Sequence, residues 1–288
     1  MWSIYKGLIK PDYTRFHLQH WVESSNPFAP LIIVIPGFLT QQNSDRPFDE
    51  WSEPVIQFAH EHNLSVAGLY WPSGKLSDFF EGIEWLQFAG AGLVSMGLQA
   101  LRVWERAINA TEQAGRNFNE WLPRGPRPII LLGHSLGARL ALITAQHVPL
   151  KRLSGVIALA PAYETHLCNY SHLDRGVRQP PLITYSDKDL VLKTLFIAGQ
   201  NPEIITLGIA GQLIRQIGLP LAFAKYMFDR TYDAALGSVG VPEIHQEVCT
   251  SWNVSHFDHQ DLGHNDYVRL LPEILNDYKV RSLIDQAP

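Results

Sequence analysis

The stretch Ile129-Ile130-Leu131-Leu132-Gly133-His134-Ser135-Leu136-Gly137-Ala138-Arg139-Leu140-Ala141-Leu142 decides the fold. It follows a breaker segment, Pro123-Arg124-Gly125-Pro126-Arg127-Pro128. Its first four residues form a short unbroken apolar run, which reads as a strand buried on both faces. Residues 138–142 are good helix formers. Between strand and helix stands Gly-x-Ser-x-Gly. A serine on so sharp a turn exposes its hydroxyl, and side chains at Gly133 and Gly137 would crowd the bend. The helix N-terminus that follows favours negative charge beside the serine. The pentapeptide alone also arises by chance in β-α turns; the strand before it and the helix after it give it meaning.

On either side of this stretch, more strands and helices alternate. Thr14 to Val22 (TRFHLQHWV) alternates as a half-exposed strand does, and Leu31 to Ile35 (LIIVI) is a second buried run, ending at Pro36-Gly37. Asp49 to His62 reads as a helix, Leu64 to Trp71 as a strand, and about Asp78 to Gln113 as a long helical stretch. The helix after Ser135 ends near His147-Val148-Pro149. Leu153 to Ala160 and Leu182 to Tyr185 add two strands, Glu243 to Cys249 is the expected last strand, and Asn265 to Lys279 a closing helix. Residues 190–240 carry no strand pattern and read as a helical insertion. This alternation predicts a mainly parallel sheet flanked by helices, in a single domain spanning residues 1–288.

Composition narrows the function. Hydrophobic residues make up 46% of the 288, enough for a large core, and charged residues only 18%. With a net charge of -5 there is no basic excess to neutralise phosphates, so nucleic acid is not an expected partner. Two cysteines, Cys168 and Cys249, exclude a disulfide scaffold and a four-cysteine zinc site, and fit a reducing compartment. The first residues show no secretory pattern, so the expected location is the cytoplasm, extending to the inner face of a membrane.

LLGHSLGARLAL resembles the nucleophile elbow of the α/β-hydrolase superfamily. The longer GHSLGAR, with the early strand running into Pro36-Gly37-Phe38, is similar to the lipase-like domain also found in transmembrane-and-coiled-coil-domain proteins. The superfamily resemblance runs from about residue 14 to 280. It implies an eight-stranded sheet, a Ser-acid-His triad and hydrolysis of esters or thioesters, with no cofactor. The superfamily's chain order places an acid after the serine and a histidine after the acid. Leu182-Ile183-Thr184-Tyr185-Ser186-Asp187-Lys188-Asp189 offers two acids. Asp189, followed by Leu190-Val191, is similar to the family's pattern and is favoured over Asp187; Glu164 is a third candidate. For the histidine, Asp261-Leu262-Gly263-His264-Asn265-Asp266-Tyr267 resembles the closing motif and points to His264, with His259 and His256 behind it. The expected oxyanion donors are the backbone N–H groups of Leu136 and Phe38. Many relatives carry His-Gly where this chain has Pro36-Gly37, and Pro36 supplies no donor.

His256, Asp258, His259, Asp261 and His264 also form a dense cluster of metal-ligand types, and His256-Phe257-Asp258-His259 resembles part of a metallo-hydrolase motif. The other ligand-rich segments such a site needs are missing, and no metal is expected. Trp85 to Leu101 is 17 residues without charge, at the short limit for a membrane span and readable as a buried helix. Ile204 to Ile214 and Gln216 to Ala224 are apolar within the insertion, which reads either as a lid over an acyl-chain pocket or as a plain helical closure. An exposed apolar lid would also contact a membrane surface. The expected activity is therefore a serine esterase or lipase-like hydrolase acting on a small-molecule or lipid ester. The rival is a non-catalytic binding or scaffold protein of the same fold at a membrane surface.

Overall fold

The computed structural model describes residues 16–38, 49–73, 106–189, 191–193 and 234–287. Among them, strands β1 (His17–Val22), β2 (Leu31–Ile35), β3 (Ser65–Tyr70), β4 (Ile129–His134), β5 (Gly155–Leu159), β6 (Leu182–Tyr185) and β7 (Thr250–Asn253) build one sheet of seven strands in the order β1-β3-β2-β4-β5-β6-β7. Only β1 runs antiparallel, against β3, with a register shift between His20 and Val22. All other pairings are parallel. Strands β2, β3, β4 and β5 are buried at every residue, as a parallel sheet covered on both faces requires.

Helix α1 (Asp49–His62) packs with α7 (Leu271–Asn276), whereas α3 (Leu136–His147) packs with α4 (Tyr170–Gly176). These groups flank the sheet. In the chain α2, spanning 106–117, lies between α1 and α3, and α5 (Leu236–Val239) follows α4. One glycine lets a helix close on the sheet, and another lets α4 close on α3. A Cβ at Gly155 would come within 2.5 Å of Leu283, and one at Gly176 within 1.8 Å of the Ala145 carbonyl oxygen.

Two expectations are corrected. Among the described residues the last strand of the large sheet is Thr250–Asn253, not Glu243 to Cys249, where Glu243–His245 forms a 3-10 turn started at Pro242. An edge strand needs only one buried face, and of β7 only Trp252 is buried, so its apolar signal is weak. The closing helix is three short ones: α6 (Asp266–Arg269), α7, and α8 (Tyr278–Asp285). Pro272 sits in the first turn of α7, and Asp277 caps α8 by accepting from the Lys279 N–H at 2.9 Å. The eighth strand that the resemblance implies is not among the described residues. The apolar run 85–101 and most of the 190–240 insertion also lie outside them. No helix among the described residues is long and apolar enough to cross a membrane.

Candidate active site

The sheet order reverses direction of growth at β2: the chain steps to β3 on one side and later to β4 on the other. Loops leaving the carboxyl ends of β2 and β4 therefore diverge, the place where open α/β sheets bind their ligands. Pro36-Gly37 leaves β2 and Ser135 leaves β4 at this point.

Ser135 has φ 55° and ψ -120°, a conformation that costs a non-glycine residue of the order of 1–3 kcal/mol. Its neighbours hold it there. Its N–H donates to the Leu159 carbonyl at 2.9 Å, and its own carbonyl accepts from Arg139 and Ala162, each at 3.1 Å. The flanking glycines are steric necessities. A Cβ at Gly133 would stand 2.5 Å from the Gly137 carbonyl oxygen, and one at Gly137 2.1 Å from that of Ile35. One turn along α3, Arg139 is buried, facing Glu164 and, at 2.9 Å, Glu112 of α2, with its guanidinium over the Tyr163 ring. Glu164, the third acid candidate, is thus a partner of the helix that carries the serine and does not face the histidine.

Asp189 is fully buried, while Asp187 is exposed. One Asp189 carboxylate oxygen, Oδ1, accepts from the Leu192 N–H at 2.9 Å; the other, Oδ2, lies 2.7 Å from His264 Nδ1. Asp187 instead meets Ser255, whose hydroxyl holds the carboxyl below the usual aspartate range and accepts from the Asp187 N–H at 2.9 Å. His264 Nε2 stands 3.0 Å from Ser135 Oγ. Ser135, His264 and Asp189 are thereby brought into one hydrogen-bonded line, and all three are buried. With Asp189 accepting, the neutral ring carries its proton on Nδ1 and offers the Nε2 lone pair to the serine hydroxyl.

The loops carrying Asp189 and His264 are sewn together. Ser186 Oγ donates to the Leu262 carbonyl and accepts from the Lys188 N–H. The Leu262 N–H donates to the Ser255 carbonyl at 3.1 Å. Asp266 accepts from the Gly263 N–H at 2.8 Å, fixing the residue before the histidine.

His256, Asp258, His259 and Asp261 lie elsewhere. They form a hairpin of β8 (His256–Phe257) and β9 (Gln260–Asp261), in which Asp258 and His259, with φ 50° and 61°, make the two-residue turn. His256 Nδ1 and Asp261 Oδ1 meet across it at 2.7 Å, both exposed. His256 and His259 therefore do not face the serine. Among the described residues no group of three or more His, Cys, Asp or Glu is arranged to hold a metal ion.

The loop after β2 and the start of α3 both adjoin Ser135. A Cβ at Gly37 would lie 3.0 Å from Ser135 Cβ, so the β2 loop passes directly against the serine. Leu136, the first residue of α3, is buried, and Phe38 is half-buried. Sequence reasoning passed over Trp71, whose buried indole N–H donates to the Pro36 carbonyl at 2.9 Å and pins this loop. Its sole sequence signal is its place at the end of β3. His134, the variable residue of the pentapeptide, was also passed over. Its Nε2 lies 3.1 Å from the His264 carbonyl oxygen.

The family described as serine hydrolase matches residues 112–227. No curated protein matches the chain. Among solved structures it is similar to the esterase Pf2001 of Pyrococcus furiosus, at 11% identity over 96% of this chain and 93% of that one, TM-score 0.43. It is also similar to LpqC, a poly(3-hydroxybutyrate) depolymerase of Bordetella parapertussis, at 15% identity over 93% and 90%, TM-score 0.46. A third is mouse alpha/beta hydrolase domain-containing protein 10, at 13% identity over 100% of both chains, TM-score 0.46. The fold is thus a mostly parallel sheet flanked by helices, as in α/β hydrolases, and the strained serine bend after β4 lies within the stretch similar to the serine hydrolase family.

Proposed function

We propose that the chain cleaves carboxylic esters or thioesters through an acyl-enzyme on Ser135. The observation that carries this reading is the hydrogen-bonded line from Ser135 Oγ to His264 Nε2 at 3.0 Å and from His264 Nδ1 to Asp189 at 2.7 Å. His264 takes the hydroxyl proton as Ser135 attacks the acyl carbon, and then gives it to the leaving alcohol or thiol. Asp189 holds the tautomer and stabilises the imidazolium. The N–H groups of Leu136 and Phe38 are the donors for the oxyanion. Water then attacks the acyl carbon as His264 takes its proton, and His264 gives that proton to Ser135 Oγ as the bond to the acyl carbon breaks and the acid is released. No step calls for a cofactor.

A small-molecule or lipid ester is the substrate class. The apolar stretches 204–214 and 216–224, in a cap drawn from residues 190–240 of a single 1–288 domain, support an acyl chain of at least medium length. The same stretches favour peripheral contact with a membrane, and the low cysteine count fits a cytoplasmic enzyme. The test is hydrolysis of p-nitrophenyl esters from acetyl to decanoyl. Turnover should rise beyond acetyl and disappear in Ser135→Ala. A sharp optimum at acetyl would refute the acyl pocket. A folded protein that turns over none of them would refute the activity and favour the scaffold reading.

A further inference from the structure

His134 joins the parts of the site that diverge from one another. It is the last residue of β4 and precedes Ser135. Its ring centroid lies 4.8 Å from that of His264, 5.1 Å from Trp51 of α1 and 5.6 Å from Tyr267 of α6. Nδ1 faces the loop after β2, 3.1 Å from where a Cβ on Gly37 would sit. Nε2 faces the His264 carbonyl oxygen at 3.1 Å. A carbonyl only accepts, so this nitrogen carries the hydrogen.

Resting on the triad proposed above, we infer that His134 is a positioning residue: its Nε2–H, given to the His264 carbonyl, sets the imidazole of His264 against Ser135. The other bonds of the closing loop hold the residues before the histidine. Asp266 holds the Gly263 N–H, and Ser186 and Ser255 hold Leu262. The bond from His134 reaches the base itself, and it originates one residue from the nucleophile. The separation of Nε2 and Oγ is thus set by a link that spans 130 residues of chain.

The ring is suited to the task because it stays neutral. Burial holds it well below the usual histidine range, and the neighbouring His264 pushes it the same way. A charged donor here would oppose the imidazolium that forms on His264 during turnover. A lysine or arginine could make the same hydrogen bond and would weaken the base.

Two variants test this. His134→Met fills similar volume without a donor, and His134→Gln returns an N–H at the reach of Nε2. With p-nitrophenyl butyrate, kcat of H134M should fall by about tenfold to a hundredfold, the scale of misplacing a catalytic group by an ångström. KM should stay within about threefold, and H134Q should recover most of kcat. An H134M enzyme with unchanged kcat overturns the inference, as does a folded H134Q that loses as much as H134M. Exchange of the His264 Nδ1 proton, followed by NMR, needs no turnover. It should be faster in H134M than in the unaltered protein and restored in H134Q; equal rates in all three overturn the inference. An unaltered protein without turnover would refute the proposed function alone, and the proton would still decide the role of His134.

Discussion

Asp189→Asn is a substitution whose consequence can be worked through atom by atom. In the native site one carboxylate oxygen accepts from Leu192 N–H at 2.9 Å and the other from His264 Nδ1–H at 2.7 Å. An asparagine has one acceptor and one donor end. With its oxygen on Leu192, its NH2 meets His264 and forces the ring proton onto Nε2. That nitrogen then points a hydrogen, not a lone pair, at Ser135. Turning the amide over restores the tautomer but sets NH2 against the Leu192 N–H in a fully buried place. An unmatched buried donor costs about 1–3 kcal/mol, so the wrong tautomer prevails. The loss in kcat should be about ten-thousandfold, equivalent to roughly 5 kcal/mol in the barrier. Steady-state hydrolysis of p-nitrophenyl butyrate measures it, with circular dichroism confirming the fold. Asp187→Asn is the matched control, since that carboxyl is exposed and meets Ser255; it should stay within about threefold of the unaltered enzyme, as surface changes do. A D189N enzyme within tenfold of normal, or a D187N enzyme that loses more than D189N, would refute the assignment of the acid.

Three further outcomes follow from the geometry. Trp71→Phe removes the indole N–H that holds the Pro36 carbonyl, so the loop beside Ser135 should loosen; kcat should fall about tenfold, with stability down by about 1–3 kcal/mol in urea unfolding. Arg139→Met takes away the buried cation that faces Glu164; it should cost about 3 kcal/mol, and adding Glu164→Gln should recover much of it. The pH dependence of stability should carry the mark of His134. Folded His134 resists protonation, whereas an unfolded histidine takes a proton near pH 6.5. Below about pH 6.5 the unfolded chain therefore binds more protons, and stability falls as pH drops, by up to about 1.4 kcal/mol per pH unit for this one group. Urea titrations at pH 5 and pH 7 should show a shallower fall in H134Q; equal falls would contradict the buried neutral ring.

The parts of the fold legible in the sequence were those in which burial is continuous. Leu31–Ile35, Ser65–Tyr70, Ile129–His134 and Gly155–Leu159 are buried throughout, so their apolar runs carry the central strands without ambiguity. The edge strand Thr250–Asn253 buries one face, and its polar sequence hid it behind the more apolar Glu243 to Cys249. The serine bend was legible because main-chain clashes at Gly133 and Gly137 leave no other residue there. The chain order of the resemblance pointed to Asp189 and His264, but two aspartates two residues apart look alike until burial separates them. His256 and His259 were indistinguishable from His264 by type; a hairpin turn and an exposed pair with Asp261 account for them. Trp71 and His134 act through backbone carbonyls 35 and 130 residues away, and no local pattern encodes such a bond.

In the proposed mechanism Ser135 is a nucleophile activated by His264. Intact mass and peptide mapping after treatment with a fluorophosphonate probe measure this most directly. The expected result is a single adduct on the peptide bearing Ser135, absent in Ser135→Ala and formed far more slowly in His264→Ala. A folded chain that takes no label, or one that labels equally fast without His264, would contradict the account.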